Sequence, residues 1–343
     1  MTRQRRCPTR LLVDLPTWVG DQMIAMPAVR RLIDGNRGGD TVLHTTPAMR
    51  RLLELVFPET GVAASPRKAS PGVSALDLCR RRGRFEVGVT LRNAMRAKIL
   101  VRLAARWTAG SRGEGARLLL SRGCRIDRGR HQVFDGDPIL HALDLPGVDS
   151  AWRPPRPPAL DREGEAVLDR VGLSGDRVVG LAPATARGQA KRWPADRFAR
   201  LARRLKGRGL RSLVVVGPGE EALAEEVRAA AGCSIPVAGP DLDVAGLAGV
   251  IGRLETLVCN DSGPMHVAAR FGTKVVALFG PSDPSRTAPL GDDHEVLCRH
   301  LSCAPCTAPR CPLEHHDCMR GLSVDEADAA VMRILGREGH KIG

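Results

Sequence analysis

Short apolar runs alternate along the chain with longer stretches whose apolar residues recur every three or four positions. Residues 10–16 form a brief apolar run closed by Pro16, the mark of a buried parallel strand. In residues 21–34, Met23, Ile24, Met26, Ala28, Val29, Leu32 and Ile33 fall at helical spacing. Residues 41–46 and 85–91 read as further strands, and 93–107 as one strongly basic amphipathic helix. Four prolines in residues 151–160 make a stiff, extended linker candidate. The pattern then restarts. A helix over 161–173 is followed by a strand (177–183), a helix opened by Pro194 and closed by Gly209, a strand (211–219) and a helix (220–232). A short helix (244–254), a strand (256–260), a helix (263–272) and a strand (273–281) complete the alternation. The last helix, 323–338, is announced by Ser323 with Glu326 three residues on, a capping box. Strands alternating with helices twice over predict two doubly wound α/β domains with parallel sheets covered on both faces. The expected boundaries are 1–150, a linker at 151–160, a second domain at 161–322 and the helix 323–338. Ligands then belong at the carboxyl ends of the strands.

The length of 343 residues, more than one core supports, agrees with two domains. Charge separates them. Residues 1–160 carry 28 Lys/Arg against 14 Asp/Glu, whereas 161–343 carry 24 against 24. A basic first half suits an anionic partner, whether nucleic acid, acidic lipid or a phosphorylated substrate; a solvated arginine-rich surface is the plainer alternative. Tyr is absent and aromatics are 3%, so stacking surfaces for single-stranded nucleic acid are scarce. No run approaches the ~18–20 apolar residues of a membrane span. The N-terminus turns from basic to apolar, but Asp14, Pro16 and Asp21 interrupt it, so it reads as the first strand of a cytoplasmic protein.

Three strand exits carry polar residues where this architecture brings ligands. In Trp18-Val19-Gly20-Asp21, Gly20 allows a close turn and Asp21 opens a helix, where it serves either as an N-cap or as a functional carboxylate. In residues 182–194 small residues including Thr185 precede Lys191-Arg192-Trp193-Pro194. A cation there suits a phosphate or diphosphate, and a solvated basic loop is the alternative. In Asn260-Asp261-Ser262-Gly263, with His266 three residues further on, Ser262 and free helix N–H groups can hold phosphate oxygens, or the residues simply cap the helix. Neither a P-loop nor a G-x-G-x-x-G is present.

Together the stretches 12–32, 181–205 and 259–290 resemble the lipopolysaccharide heptosyltransferases of glycosyltransferase family 9, in that family's order and spacing. Residues 88–120 look like its acceptor segment, and 303–331 are similar to the tail of its second-heptosyltransferase members. The resemblance implies a GT-B fold, two facing Rossmann-like domains with a central cleft, the first for the acceptor and the second for a nucleotide sugar. It implies inverting, metal-independent transfer of heptose from ADP-heptose to the Kdo-lipid A inner core at the cytoplasmic face of the inner membrane. By the same resemblance Asp21 is the general base and Lys191 neutralises the departing diphosphate. Thr185, Asp261, Ser262, Gly263 and His266 bind the donor, and Glu220 or Glu221 meets its ribose. Gly20, Asn93 and Arg96 belong to the acceptor side. The 183–188 stretch and Pro264 depart from the family's commonest pattern and touch donor identity. A first heptosyltransferase, or a family member using other sugars, is the alternative reading; a basic nucleic-acid-binding protein is the remote one.

Of ten cysteines, Cys303, Cys306, Cys311 and Cys318 are spaced C-x2-C-x4-C-x6-C, with Cys298 before them and His315 and His316 among them. That spacing is compatible with a structural zinc or with a thiol-rich loop without metal. Cys7, Cys79, Cys124, Cys233 and Cys259 read as scattered thiols. No cofactor is expected to be required.

Overall fold

A computed structural model describes residues 9–113, 115–186 and 188–336. The chain divides into two compact units, Met1–Trp152 and Arg153–Gly343. In unit 1 the order is β1 (Arg10–Asp14), α1 (Val19–Asp34), β2 (Asp40–Thr45), α2 (Pro47–Val56), β3 (Gly61–Ala64), α3 (Pro71–Arg82), β4 (Phe85–Thr90), α4 (Met95–Ala104), β5 (Ala105–Ser111), α5 (Ala116–Leu119), β6 (Arg122–Cys124) and α6 (Asp137–His141). Unit 2 runs α7 (Pro158–Arg170), β7 (Val178–Ala182), α8 (Ala195–Gly207), β8 (Arg211–Val215), α9 (Glu221–Ala231), β9 (Val237–Ala238), α10 (Val244–Ile251), β10 (Thr256–Asn260), α11 (Gly263–Arg270), β11 (Val275–Phe279), α12 (Pro284–Thr287), β12 (Glu295–Cys298), α13 (Asp317–Arg320) and α14 (Val324–Gly336).

Each unit holds one six-stranded sheet, ordered β3-β2-β1-β4-β5-β6 and β12-β11-β10-β7-β8-β9. Every pairing is parallel. The strand order reverses between β1 and β4 and between β7 and β10, and these reversal points are where loops splay apart and leave room for a ligand. Central strands are apolar because both faces are covered: β7, β10 and β11 are buried along their whole length. Right-handed crossovers put α3, α4 and α5 on the face opposite α1 and α2. Ala75, Leu78, Leu100, Val101, Ala104 and Ala116 of that layer share one core with Leu12, Val42 and Phe85 of the sheet.

The two doubly wound units are those expected. One expected element is split: the helix read over 93–107 ends at Ala104, and Ala105 opens β5. Buried Ala97, Leu100, Val101 and Ala104 continue the helical period into Ala105 and Thr108, so periodicity alone carries the helix onward. Pairing of Phe85 with Ala105 and of Val87 with Trp107 pulls the segment into the sheet instead. Helix α7 begins at Pro158, inside the proline-rich stretch. The capping box forms: Ser323 N donates to Glu326 Oε2 (2.9 Å) and Glu326 N to Ser323 Oγ (3.2 Å). The bond from Ser323 N, with those from the Ser323 hydroxyl (2.8 Å) and Arg299, holds the Glu326 carboxyl down at about 2. Cys7 and residues 337–338 of the expected last helix lie outside the described residues.

His294, just before β12, accepts a hydrogen bond at Nδ1 from Val275 N (3.2 Å). Burial, helped by the charge of Arg153, pushes its pKa down from 6.5 to about 4. The unfolded chain therefore binds a proton near pH 6.5 that the folded chain takes up only near 4, and stability falls as pH drops through that window. His294→Asn, which keeps an acceptor for Val275, is expected to flatten the loss of melting temperature between pH 6.5 and 4; equal slopes in the two proteins would refute the assignment.

Candidate active site

In unit 1, β1 ends at Asp14 and the chain turns through Pro16 and Thr17 into α1. Asp21 lies in the first turn of that helix, whose N-cap is Trp18, so the carboxylate is not the cap. It accepts a hydrogen bond from Gln132 Nε2 (3.1 Å) and lines a cavity of about 430 Å³ at the β1/β4 reversal. Asn93, Arg112, Arg125 and Arg128 line the same cavity over a floor that includes Ile24, Ala28 and Ile139. Asn93 is held by Ser111, whose hydroxyl donates to its Oδ1 (2.8 Å). The cavity thus sets two carboxylates, Asp21 and Asp135, among three arginines, chemistry suited to an anionic ligand with a hydroxyl to deprotonate. Gly20 is the second residue of α1.

Arg96 goes elsewhere. Its guanidinium donates to Lys68 O (3.1 Å) and Ala69 O (2.5 Å), and it lines a smaller recess with Asp14, His44, Ser65 and Arg92. There the buried Asp14 carboxylate accepts from His44 Nδ1 (2.8 Å) and Thr90 Oγ1 (2.8 Å), with Arg92 at 3.5 Å. The other ring nitrogen of His44, Nε2, lies 3.1 Å from the Ser65 hydroxyl. This chain of side chains crosses the ends of β3, β2, β1 and β4 in sheet order.

In unit 2 the exits of β7 and β10 meet at the reversal. Lys191 Nζ lies 2.5 Å from Asp261 Oδ2, and Ser282 Oγ donates to the same oxygen (2.6 Å). Thr185 is buried, its hydroxyl donating to Gly188 O (2.8 Å). Ser262 is the N-cap residue of α11 but makes no side-chain cap; its hydroxyl donates to Asn260 O (3.1 Å). Gly263 opens α11, and His266 is half-buried on it. Glu220 is occupied by Gly217 N (2.8 Å), while Glu221, which accepts from Gly219 N (3.2 Å), opens α9 at the β8 exit. What holds the β7 exit against β10 is the buried Asn260: its Oδ1 accepts from Trp193 N (3.0 Å) and its Nδ2 donates to Pro183 O (2.7 Å). Trp193, 1% exposed, stacks edge-on against Phe198 and donates Nε1–H to Leu322 O (2.9 Å).

The cysteine stretch does not form a metal site. Cys318 is buried in the unit 2 core and Cys306 is exposed. Cys303 Sγ comes 3.9 Å from His315 Nε2. Among the described residues no group of three or more His, Cys, Asp or Glu side chains is gathered closely enough to hold a metal ion. The zinc spacing read from the sequence therefore has no support in the geometry.

Residues 78–316 match the model of glycosyltransferase family 9 (heptosyltransferase). The chain belongs to glycosyltransferase family 9. It is an enzyme of the glycosyltransferase class. Among its relatives are the lipooligosaccharide heptosyltransferase 2 of Campylobacter jejuni, 25% identical over 95% of this chain and 98% of that one. The lipopolysaccharide heptosyltransferase 2 of Escherichia coli K12 is 29% identical, covering 84% and 87%. The solved structure of the E. coli ADP-heptose lps heptosyltransferase II superposes with a TM-score of 0.80 at 23% identity, covering 96% of this chain and 99% of that chain, a likeness of GT-B fold. The sequence of this family 9 enzyme singled out Asp21, Asn93, Lys191 and Asp261 and placed Asn260 in the same polar turn without a role, but did not single out Gln132, Arg112, Arg125, Arg128 and Ser282. The basic run Arg125-Ile126-Asp127-Arg128-Gly129-Arg130 was the available signal for two of them.

Removing the amide in Asn260→Ala leaves Trp193 N and Pro183 O buried without partners, at a cost of about 2–5 kcal/mol. Denaturant unfolding of unit 2 is expected to shift by that amount. Unchanged stability would refute the clamp.

Proposed function

We propose that this enzyme transfers heptose from ADP-heptose to the lipopolysaccharide inner core, a heptosyl-Kdo-lipid A acceptor, as a second heptosyltransferase working peripherally on the cytoplasmic face of the inner membrane. The observation that carries the reading is Asp21 lining a roomy, arginine-rimmed cavity in a family 9 chain. The names of its relatives support the sugar and the acceptor, and the donor in the name of the superposed E. coli enzyme supports ADP-heptose.

Unit 1 takes the acceptor. Arg112, Arg125 and Arg128 suit its carboxylate or phosphate groups, and Asp21 accepts the proton of the attacking hydroxyl. That oxygen bonds to the anomeric carbon, the bond from that carbon to the diphosphate oxygen breaks, and ADP leaves with the electron pair. Unit 2 takes the donor. The Ser262-Gly263 turn and the first N–H groups of α11 meet the phosphates. Lys191 exchanges its partner, Asp261, for the diphosphate and offsets the charge that develops on it. Asp261, still held by Ser282, is then available to a sugar hydroxyl. Thr185 and His266 complete the donor side, and Glu221 suits the ribose.

Asp21→Asn is expected to lower kcat by about 10²-fold or more while ADP-heptose affinity stays within about threefold. Turnover within a few-fold of wild type would refute the base. Lys191→Ala is expected to lose about 10²–10³-fold in turnover; an unaffected rate would refute its role. Absence of transfer from ADP-heptose to a Kdo-lipid A-type acceptor by the wild-type enzyme would overturn the reading as a whole.

A further inference from the structure

The layer formed by α3, α4 and α5 in unit 1 leaves large apolar side chains in the open. Val73 (66% exposed), Leu76 (50%), Met95 (43%), Leu103 (52%) and Leu118 (88%) all stand on these three helices. They are five of the seven exposed large hydrophobic residues found among the described residues. Val73 and Leu76 lie one turn apart on α3, with exposed Arg80 one turn further on. On α4 the outward positions are Met95, Arg102 and Leu103, since Ala97, Leu100, Val101 and Ala104 face the core. Arg117 flanks Leu118 on α5. Met95 bridges two of the helices, its Cγ lying 3.4 Å from where a Cβ on Gly115 would sit, at the start of α5. Charge follows the same helices: exposed Arg80, Arg81 and Arg82 on α3, Arg102 on α4 and Arg117 on α5 stand against a single acidic residue, Asp77.

We propose that the outer face of α3, α4 and α5 docks unit 1 onto an anionic lipid bilayer. Single leucines standing among arginines fit a bilayer surface, where apolar side chains enter the acyl boundary and guanidinium groups remain with the phosphates. Each basic residue near such a surface strengthens binding about fivefold. A second copy of the chain would bring the same positive charge against itself, and a nucleic-acid backbone offers nothing for Leu103 or Leu118 to enter. The inference gives the proposed lipid-linked acceptor a supporting surface, and so rests on that reading for its purpose, but vesicle binding is measured without it.

The test is co-sedimentation of the full chain with vesicles of phosphatidylcholine, with and without phosphatidylglycerol. Binding is expected to the anionic vesicles, weaker by about tenfold or more without the anionic lipid and falling with salt. The Leu76→Glu, Leu103→Glu, Leu118→Glu triple variant is expected to lose about tenfold or more while keeping its melting temperature and ADP affinity. Arg102→Gln and Arg117→Gln should each weaken binding about three- to fivefold. No binding by the wild type, or equal binding by the triple variant, overturns the proposal. A wild-type dimer in light scattering that the triple variant reverts to monomer also overturns it, in favour of self-association. Transfer to a deacylated, soluble acceptor is read in parallel: retained transfer with no vesicle binding removes the docking surface alone, and vesicle binding without transfer removes the heptosyltransferase reading alone.

Discussion

Asn260 is the residue on which the β7/β10 reversal of unit 2 depends. Parallel strands end without a partner for the backbone that leaves them, and at the β7/β10 reversal those polar groups are buried. One side-chain amide satisfies two of them, Trp193 N and Pro183 O, and so ties the exit of β7 to the end of β10. Both bonds act in a dry environment, where an unpaired group is costly. Trp193 then wedges the same loop into the core and against Leu322 O. Lys191, two residues earlier, lies beside Asp261, with which it pairs at 2.5 Å.

Unit 1 meets the same difficulty differently. Its reversal is stitched by a buried carboxylate, Asp14, which accepts from His44 and Thr90 on the two flanking strands. The matched register, Asp14 opposite His44 and Thr90, makes this possible. A buried anion needs several donors to be tolerated, and Asp14 has three. The β1 exit is thereby held, and α1 starts where Asp21 overlooks the larger cavity. Two sheets of one topology thus use a neutral amide in one unit and an ionic chain in the other, in keeping with the basic excess of the first and the balance of the second.

Much of the fold was legible. Buried parallel strands such as β10 and β11 are continuous apolar runs, and helices such as α8 show their period, Pro194 and Gly209. The capping box at Ser323 and Glu326 was readable because it is purely local. Segment 93–107 misled because a helical period can run into a strand when both are buried, and only pairing with β4 ends the helix. Between Pro47 and Cys124 only β3, α5 and β6, of four, four and three residues, carry too few for a period to show.

The chemistry divides in the same way. Asp21, Lys191 and Asp261 stood out because each follows a strand and precedes or faces a helix, a relation encoded in neighbouring residues. Their partners did not, since Gln132 reaches Asp21 and Ser282 reaches Asp261 across separations that no local pattern records, as Asn260 reaches Trp193 and Pro183. Arg96, close to Asn93 in sequence, turned to a different recess because it lies in the first turn of α4 and donates to Lys68 O and Ala69 O, whereas Asn93 sits in the loop before the helix. The C-x2-C-x4-C-x6-C spacing looked like a metal site in one dimension, but Cys318 packs into the core while Cys306 faces out. Local order of residue types settled strands, helices, caps and the character of each exit, since these rest on interactions within a turn or two. Which exits meet, which carboxylate faces a cavity and which thiols stay apart were decided by parallel pairing and packing, which join residues far apart in the chain.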